Sequence, residues 1–250
     1  MIFVIEFIKE MLWGIYFLIN LKKFRFTRNR ILFLIYLSVI CAGMSKTYYY
    51  DSAESVSLPV NRLNIVIDAG HGGFDPGKVA NGIDEKVINL QIAHKLQLYL
   101  EQGGSYVMNT RTEDNSLSEE KRGDLKERIN IANSDDVDMM ISIHQNSFPN
   151  SSVRGAQVFY YKNSRESRQL AEAIQKRIRD ADDTNKREAK ASGDYYILKK
   201  SNVPAVIVEC GFLSNDMEKE KLQNEKYQEK IAWAIYLGVN DFLSERSETI

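Results

Sequence analysis

Two hydrophobic periods alternate along most of this chain, one close to 2 and one close to 3.6. Leu63–Asp68 (LNIVID) is a short continuous apolar run that breaks into a glycine-rich turn, which predicts a buried strand. From the capping residue Asp84, Val87, Leu90, Ala93 or His94, and Leu96 or Gln97 return at helical spacing and predict a helix to about Gln102. Ser105–Arg111 predicts a second strand, Ser118–Asn133 a helix striped by Leu125, Ile129 and Ala132, and Val137–His144 a third strand. Gln157–Tyr161 reads as a further strand, followed by a helix capped near Asn163 and striped by Leu170, Ala173, Ile174 and Ile178. Tyr195–Leu198 and Pro204–Glu209 (PAVIVE) read as the last strands. A closing helix spans Asn224–Leu243, with Tyr227, Ile231, Ile235 and Phe242 inward. Strand–helix alternation of this kind predicts the α/β class: a single three-layer domain, its twisted, mostly parallel sheet of about six strands covered by helices on both faces.

The front of the chain breaks this pattern. Ile31–Met44 is an uncharged apolar run of 14 residues, preceded directly by the basic stretch Leu21–Arg30 (LKKFRFTRNR). A basic flank before a short apolar core is the signature of an export segment. The run is short for a span of about 20 residues, so it reads as a signal cleaved near Ala42-Gly43 or as a membrane anchor, beside the plainer alternative that an upstream start codon adds its first residues; the body is expected to be exported and extracytoplasmic. Residues 1–60 are therefore assigned to the export or anchor segment and a polar linker, and 61–245 to the folded body. Charge supports the division. Residues 1–44 hold six of the 33 basic residues and only two of the 34 acidic ones, leaving a mildly acidic body that argues against nucleic acid as a partner. The two cysteines, Cys41 and Cys210, do not make a disulfide framework.

In open α/β sheets, ligands collect at the carboxyl ends of the strands. Three predicted strands run into groups that bind metals or move protons: IVID into Ala69-Gly70-His71-Gly72-Gly73, MMISI into His144, and AVIV into Glu209. Glu85 lies 14 residues beyond His71, at the start of the first predicted helix. Two histidines, a glutamate and an open position form the ligand type of a catalytic zinc. Duller readings exist: Glu85 as a first-turn carboxylate favouring the helix dipole, and His94 as a mid-helix residue with no metal-like neighbour. Glu209 is harder to explain away, because a carboxylate directly after four apolar strand residues is costly unless it has a use. Alternation places Cys210 on the opposite side from Glu209, as a small buried hydrophobe.

Ile65–Gly77 (IVIDAGHGGFDPG), Gly82–Lys86, Ile141–Asn146 (ISIHQN) and Pro204–Asn215 (PAVIVECGFLSN) together resemble the zinc-dependent N-acetylmuramoyl-L-alanine amidases. Thr110-Arg111, Leu125–Arg128 and Gly155–Tyr160 add to the resemblance, which runs from about Asn64 to Phe242, and Ala191–Val206 is similar to spore-cortex members. The resemblance implies that His71, Glu85 and His144 hold Zn2+ and that Glu209 is the catalytic carboxylate. It further implies that the substrate is peptidoglycan, cleaved between N-acetylmuramic acid and L-alanine. Asn146 and Arg128 are candidate substrate or supporting contacts. Val87 stands where the family often has an acidic residue, away from the ligand positions. No long insertion reads as an autoinhibitory helix, which leaves control to localisation, expression or an accessory activating protein. The cortical likeness implies a place in the intermembrane space of the developing spore and a role in muramic lactam formation. Three other readings stand beside this one: a zinc endopeptidase acting within stem peptides, a non-catalytic wall-binding module, and a nucleotide-binding protein using Gly70–Gly73. The last lacks the G-x-G-x-x-G and G-K-S/T patterns.

Overall fold

The computed structural model describes residues 59–247. The expected export or anchor segment, Cys41 and the stretch Thr47–Leu58 lie outside the described residues, and among those described no helix is long and apolar enough to cross a membrane. In chain order the elements are β1 (Asn64–Ala69), the small hairpin β2 (Val79–Ala80) and β3 (Ile83–Asp84), α1 (Glu85–Gln102), β4 (Tyr106–Asn109) and α2 (Lys121–Ala132). There follow β5 (Met139–Asn146), β6 (Gln157–Tyr161), α3 (Arg165–Ala181), β7 (Lys190–Ser192), α4 (Tyr196–Lys200), β8 (Ala205–Phe212), α5 (Asp216–Gln223) and α6 (Glu225–Ser247).

Six strands form one sheet in the order β4-β1-β5-β8-β6-β7. All neighbours are parallel except β6 and β8. The exception follows from the β5–β6 connection, which carries no helix and so lacks the crossover that parallel return requires. Strand alternation sorts the core into two layers. Ile65, Ile67, Ile141, Ile143, Val206, Val208 and Cys210 face the layer of α1, α3 and α6, whereas Val66, Met140, Ala205 and Ile207 face α2 and α4. The fold is the expected three-layer α/β arrangement, with its sheet apolar on both sides.

Several expectations need correction. Val60, assigned to the linker, is 0% exposed and packs into the larger core layer, so the folded body begins earlier than 61. The stripe expected on α1 is partly rotated: Ala93 and Leu96 are buried as expected, but Val87 is 45% exposed and Leu90 only half-buried, and Ile88, Ile92 and Leu100 complete the buried face. This helix packs against both the sheet and α6, so apolar residues occupy two adjoining faces and the reading frame was ambiguous. Tyr195–Leu198 is not a strand; α4 turns there and buries the adjacent pair Ile197 and Leu198. Short apolar runs do not distinguish strand from helix by period. The edge strand β7 and the helix α5 gave no apolar signal, since β7 buries none of its three residues. The helix α3 is capped by the Ser164 side chain, which accepts from the Ser167 amide, one residue past the expected position. Finally, β5 and β8 continue two and three residues beyond His144 and Glu209, so both side chains project from inside their strands rather than from their ends.

Candidate metal centre and active site

The loop that follows β1 turns sharply through His71, whose φ is 61°. Its Nδ1 lies 2.9 Å from Asp75 Oδ2, a bond that fixes the ring and leaves Nε2 facing Glu85 Oε1 at 3.3 Å. A carboxylate on the far nitrogen is the usual support of a metal-binding histidine. Glu85, the first residue of α1, also sits 3.0 Å from His144 Nδ1. Its oxygens accept from the backbone amides of Gln145 (3.0 Å) and Lys78 (2.8 Å). One atom from each of His71, Glu85 and His144 lies within 4.8 Å of the others. Ligands about 2.0–2.2 Å from a tetrahedral zinc stand about 3.3–3.6 Å apart; the His71–Glu85 separation of 3.3 Å matches this, the His144–Glu85 separation of 3.0 Å is slightly shorter, and the donor set suits such an ion. The two imidazoles stand edge to face with centroids 5.0 Å apart.

The cradle around these groups leaves no room for side chains. A Cβ on Gly70 would fall 2.2 Å from His144 Cε1 and Nε2, and one on Gly77 would fall 2.6 Å from Glu85 Oε2. Electrostatics match the geometry. Burial alone would raise the Glu85 carboxyl, but His144 and His71 outweigh it and hold the group far below the carboxylate range. Reciprocally, His144 is drawn upward against burial by Glu85 first and Glu209 next.

Glu209 stands directly opposite His144 in the β5–β8 register. It is 7% exposed, and its Oε2 is buried without a hydrogen-bond partner. Burial pushes its pKa up to about 7, with the Glu85 charge adding to the rise and His144, His71 and the Tyr195 hydroxyl opposing it. Such a carboxyl, poised near neutrality beside a ligand triad, has the character of a general acid–base group. Tyr195 was not singled out by sequence because it lies in a stretch read as strand. Burial and the facing Glu209 charge hold its phenol protonated, well above the ordinary range.

A cleft of about 610 Å³ opens beside Tyr195, lined among others by Asn146, Phe148, Gln157 and Phe159. A second cleft of about 470 Å³, past Lys78, Ser214 and Lys219, shares Phe148 with the first. Phe148 is 52% exposed between them. Asn146 is thus placed where a ligand can reach it. Arg128 is not: it is 2% exposed, and its guanidinium is taken up by Asp68, Asp124 and the carbonyls of Ala69 and His71. Its candidacy as a substrate contact is corrected to a place behind the His71 loop. His94 is exposed on α1, outside the triad. Cys210 is fully buried on the opposite side of the sheet from Glu209, and burial pushes its thiol far up.

Residues 65–241 match the amidase_3 family, described as N-acetylmuramoyl-L-alanine amidase. The chain is 34% identical over 206 residues to the germination-specific N-acetylmuramoyl-L-alanine amidase of Bacillus subtilis, covering 79% of this chain and 87% of that protein. The CwlD amidase from Clostridioides difficile, solved in complex with the GerS lipoprotein, is 43% identical with a TM-score of 0.71, covering 74% of this chain and all of that one. An N-acetylmuramoyl-L-alanine amidase from Clostridium difficile 630 is 34% identical with a TM-score of 0.68, covering 74% of this chain and 99% of that one. With nearly all of the described core inside the matched span and the candidate site built from the motifs that carry the likeness, the chain belongs to the N-acetylmuramoyl-L-alanine amidase family of peptidoglycan hydrolases.

Proposed function

We propose that this amidase is a zinc enzyme that strips stem peptides from the N-acetylmuramic acid of the spore cortex. The observation that carries the zinc part is the convergence of one donor atom each from His71, Glu85 and His144 within 4.8 Å, with the unpartnered Oε2 of Glu209 on the strand beside His144. These three side chains would hold the ion. When bound there, zinc supplies Lewis-acid chemistry, polarising a carbonyl and lowering the pKa of water from 15.7 toward ~7.

The protein's own groups do the rest. Glu209 takes a proton from the attacking water through its free oxygen and returns one to the departing L-alanine nitrogen. Tyr195, facing the same carboxylate, keeps one side of it engaged and directs the other toward the triad. Phe148, shared by the two clefts, would separate the glycan and peptide arms of a bound substrate. Asn146, in the larger cleft, contacts the substrate on one side of that divide.

The cortical part is supported by the germination-specific relative and by the cortex-like stretch Ala191–Val206. On this reading the body works outside the cytoplasm, carried there by the segment around Ile31–Met44, and an accessory lipoprotein assists it as one accompanies the relative from Clostridioides difficile. Two measurements test the proposal. Metal analysis of the purified chain should find one zinc per molecule, and none in His71→Ala. Cortex from spores lacking the gene should contain no muramic lactam; a normal lactam content would remove the cortical assignment while leaving the amidase intact.

A further inference from the structure

We infer that Arg111 and Arg128 are positioning residues, a pair of guanidinium clamps that present His71 to the metal and thereby set the affinity of the site. The inference rests on the zinc site proposed above. Strand β1 stops at Ala69, so the next carbonyls leave the sheet and need other partners. At His71 the backbone enters the left-handed region, with φ at 61°, which side-chain-bearing residues seldom adopt unless the surroundings impose it.

Arginine supplies that imposition from below. Arg111 Nε donates to Ala69 O at 2.8 Å, and its Nη2 donates to Gly70 O at 3.1 Å. Arg128 Nη1 donates to the same Ala69 O at 2.9 Å, and its Nη2 donates to His71 O at 2.7 Å. Three consecutive carbonyls are therefore held by two planar forks, which a lysine with one rotating ammonium does not reproduce. Both arginines are buried, and neither has a substrate-facing donor to spare. The charge of Arg128 is offset behind the loop, where it bonds Asp68 Oδ1 at 2.5 Å and Asp124 Oδ2 at 2.6 Å. Asp68 in turn accepts from Thr110 and Ser142, which anchors the assembly to β4's end and to β5.

The clamp reaches the ligand through the backbone. With residues 69–71 fixed, Gly72 and Asp75 exchange backbone hydrogen bonds, and the Asp75 side chain then holds His71 Nδ1. Loosening the forks lets the His71 ring swing away from Glu85 without touching either ligand. Interactions one shell beyond a metal's ligands typically govern about 10–100-fold in affinity.

The test is metal binding by the full-length chain, with Arg111→Lys, Arg128→Lys and the surface control His94→Ala. Zinc affinity is read by competition with a chromogenic chelator, and ligand geometry by the visible spectrum of the cobalt-loaded protein. Both lysine variants should retain the wild-type far-ultraviolet circular dichroism, lose about 10–100-fold in zinc affinity and shift the cobalt bands, while His94→Ala matches wild type. Folded lysine variants that bind zinc within twofold of wild type and share its cobalt spectrum would overturn the clamp. Should Arg128→Lys not fold, Arg111→Lys decides alone, since Arg111 touches the loop but not Asp68 or Asp124. A wild-type chain that binds neither ion would refute the zinc reading itself, a different failure from that of the clamp.

Discussion

Gly70→Ala is a sharp probe of the site because it adds one carbon and no backbone strain. Gly70 is absent from the positive-φ residues, so alanine there meets no conformational penalty. The added Cβ would stand 2.2 Å from both Cε1 and Nε2 of His144 and 2.7 Å from Cδ2. The imidazole must retreat by roughly 1.2 Å before it reaches 3.4 Å, the near edge of ordinary contact. It has little freedom to do so, with Nδ1 held 3.0 Å from Glu85 and the His71 ring against it. A displacement of about 1 Å at a reacting centre is worth about 10²-fold in rate, and overpacking of this kind costs about 1–3 kcal/mol of stability. Gly70→Ala should therefore bind zinc at least tenfold more weakly and release stem peptide about 100-fold more slowly than wild type. Gly82→Ala is the matched control, because open space surrounds that position although its φ is 79°. It should lose about 1 kcal/mol of stability and keep its zinc. A Gly70→Ala enzyme with wild-type zinc affinity and turnover would show that His144 is not held where the metal site requires it.

Glu209→Gln should keep zinc and the fold while losing about 10²–10⁴-fold in turnover; turnover within tenfold of wild type would remove Glu209 from the role of proton carrier. The same variant should behave oppositely in stability. The Glu209 carboxyl is raised from 4.5 to about 7 by burial, so its protonated form suits the fold. The metal-free wild type should therefore be most favoured by this group below about pH 4.5 and lose that contribution as pH rises through 7. Metal-free Glu209→Gln should then exceed metal-free wild type by about 1–3 kcal/mol at pH 8 and by much less at pH 4.5 in denaturant melts; equal stability at both pH values would contradict it. Tyr195→Phe removes a contact that favours the charged carboxylate, so the acid limb of kcat/KM should move to higher pH with zinc content unchanged. An unmoved limb would show that the hydroxyl has no hold on Glu209.

Most of the strands and the two-sided burial of the sheet were legible because IVID, MMISI and AVIV are continuous apolar runs, as strands covered on both faces require. The ligand types were legible for a related reason: polar groups directly after such runs need a purpose. What escaped notice was set by partners rather than by period. Tyr195 gains its position from the turn into α4, and β7 is an edge strand with β6 as its one strand neighbour. Arg128 could be read as either a substrate or a supporting contact, because nothing in LKER shows that a buried Asp68 sixty residues earlier will claim it. Arg111 gave even less sign, since its role depends on carbonyls that became free only where β1 ended. The rotation of α1 has the same origin, as a helix covered on two sides carries no single apolar stripe.

Digestion of purified peptidoglycan by the zinc-loaded full-length chain, with identification of the new amino termini beside Glu209→Gln, bears most directly on the chemistry assigned to this site. New L-alanine amino groups should form with the wild type and be nearly absent with the variant. Amino groups from other stem residues would make the enzyme an endopeptidase, and equal L-alanine release by both proteins would place the proton carrier somewhere other than Glu209.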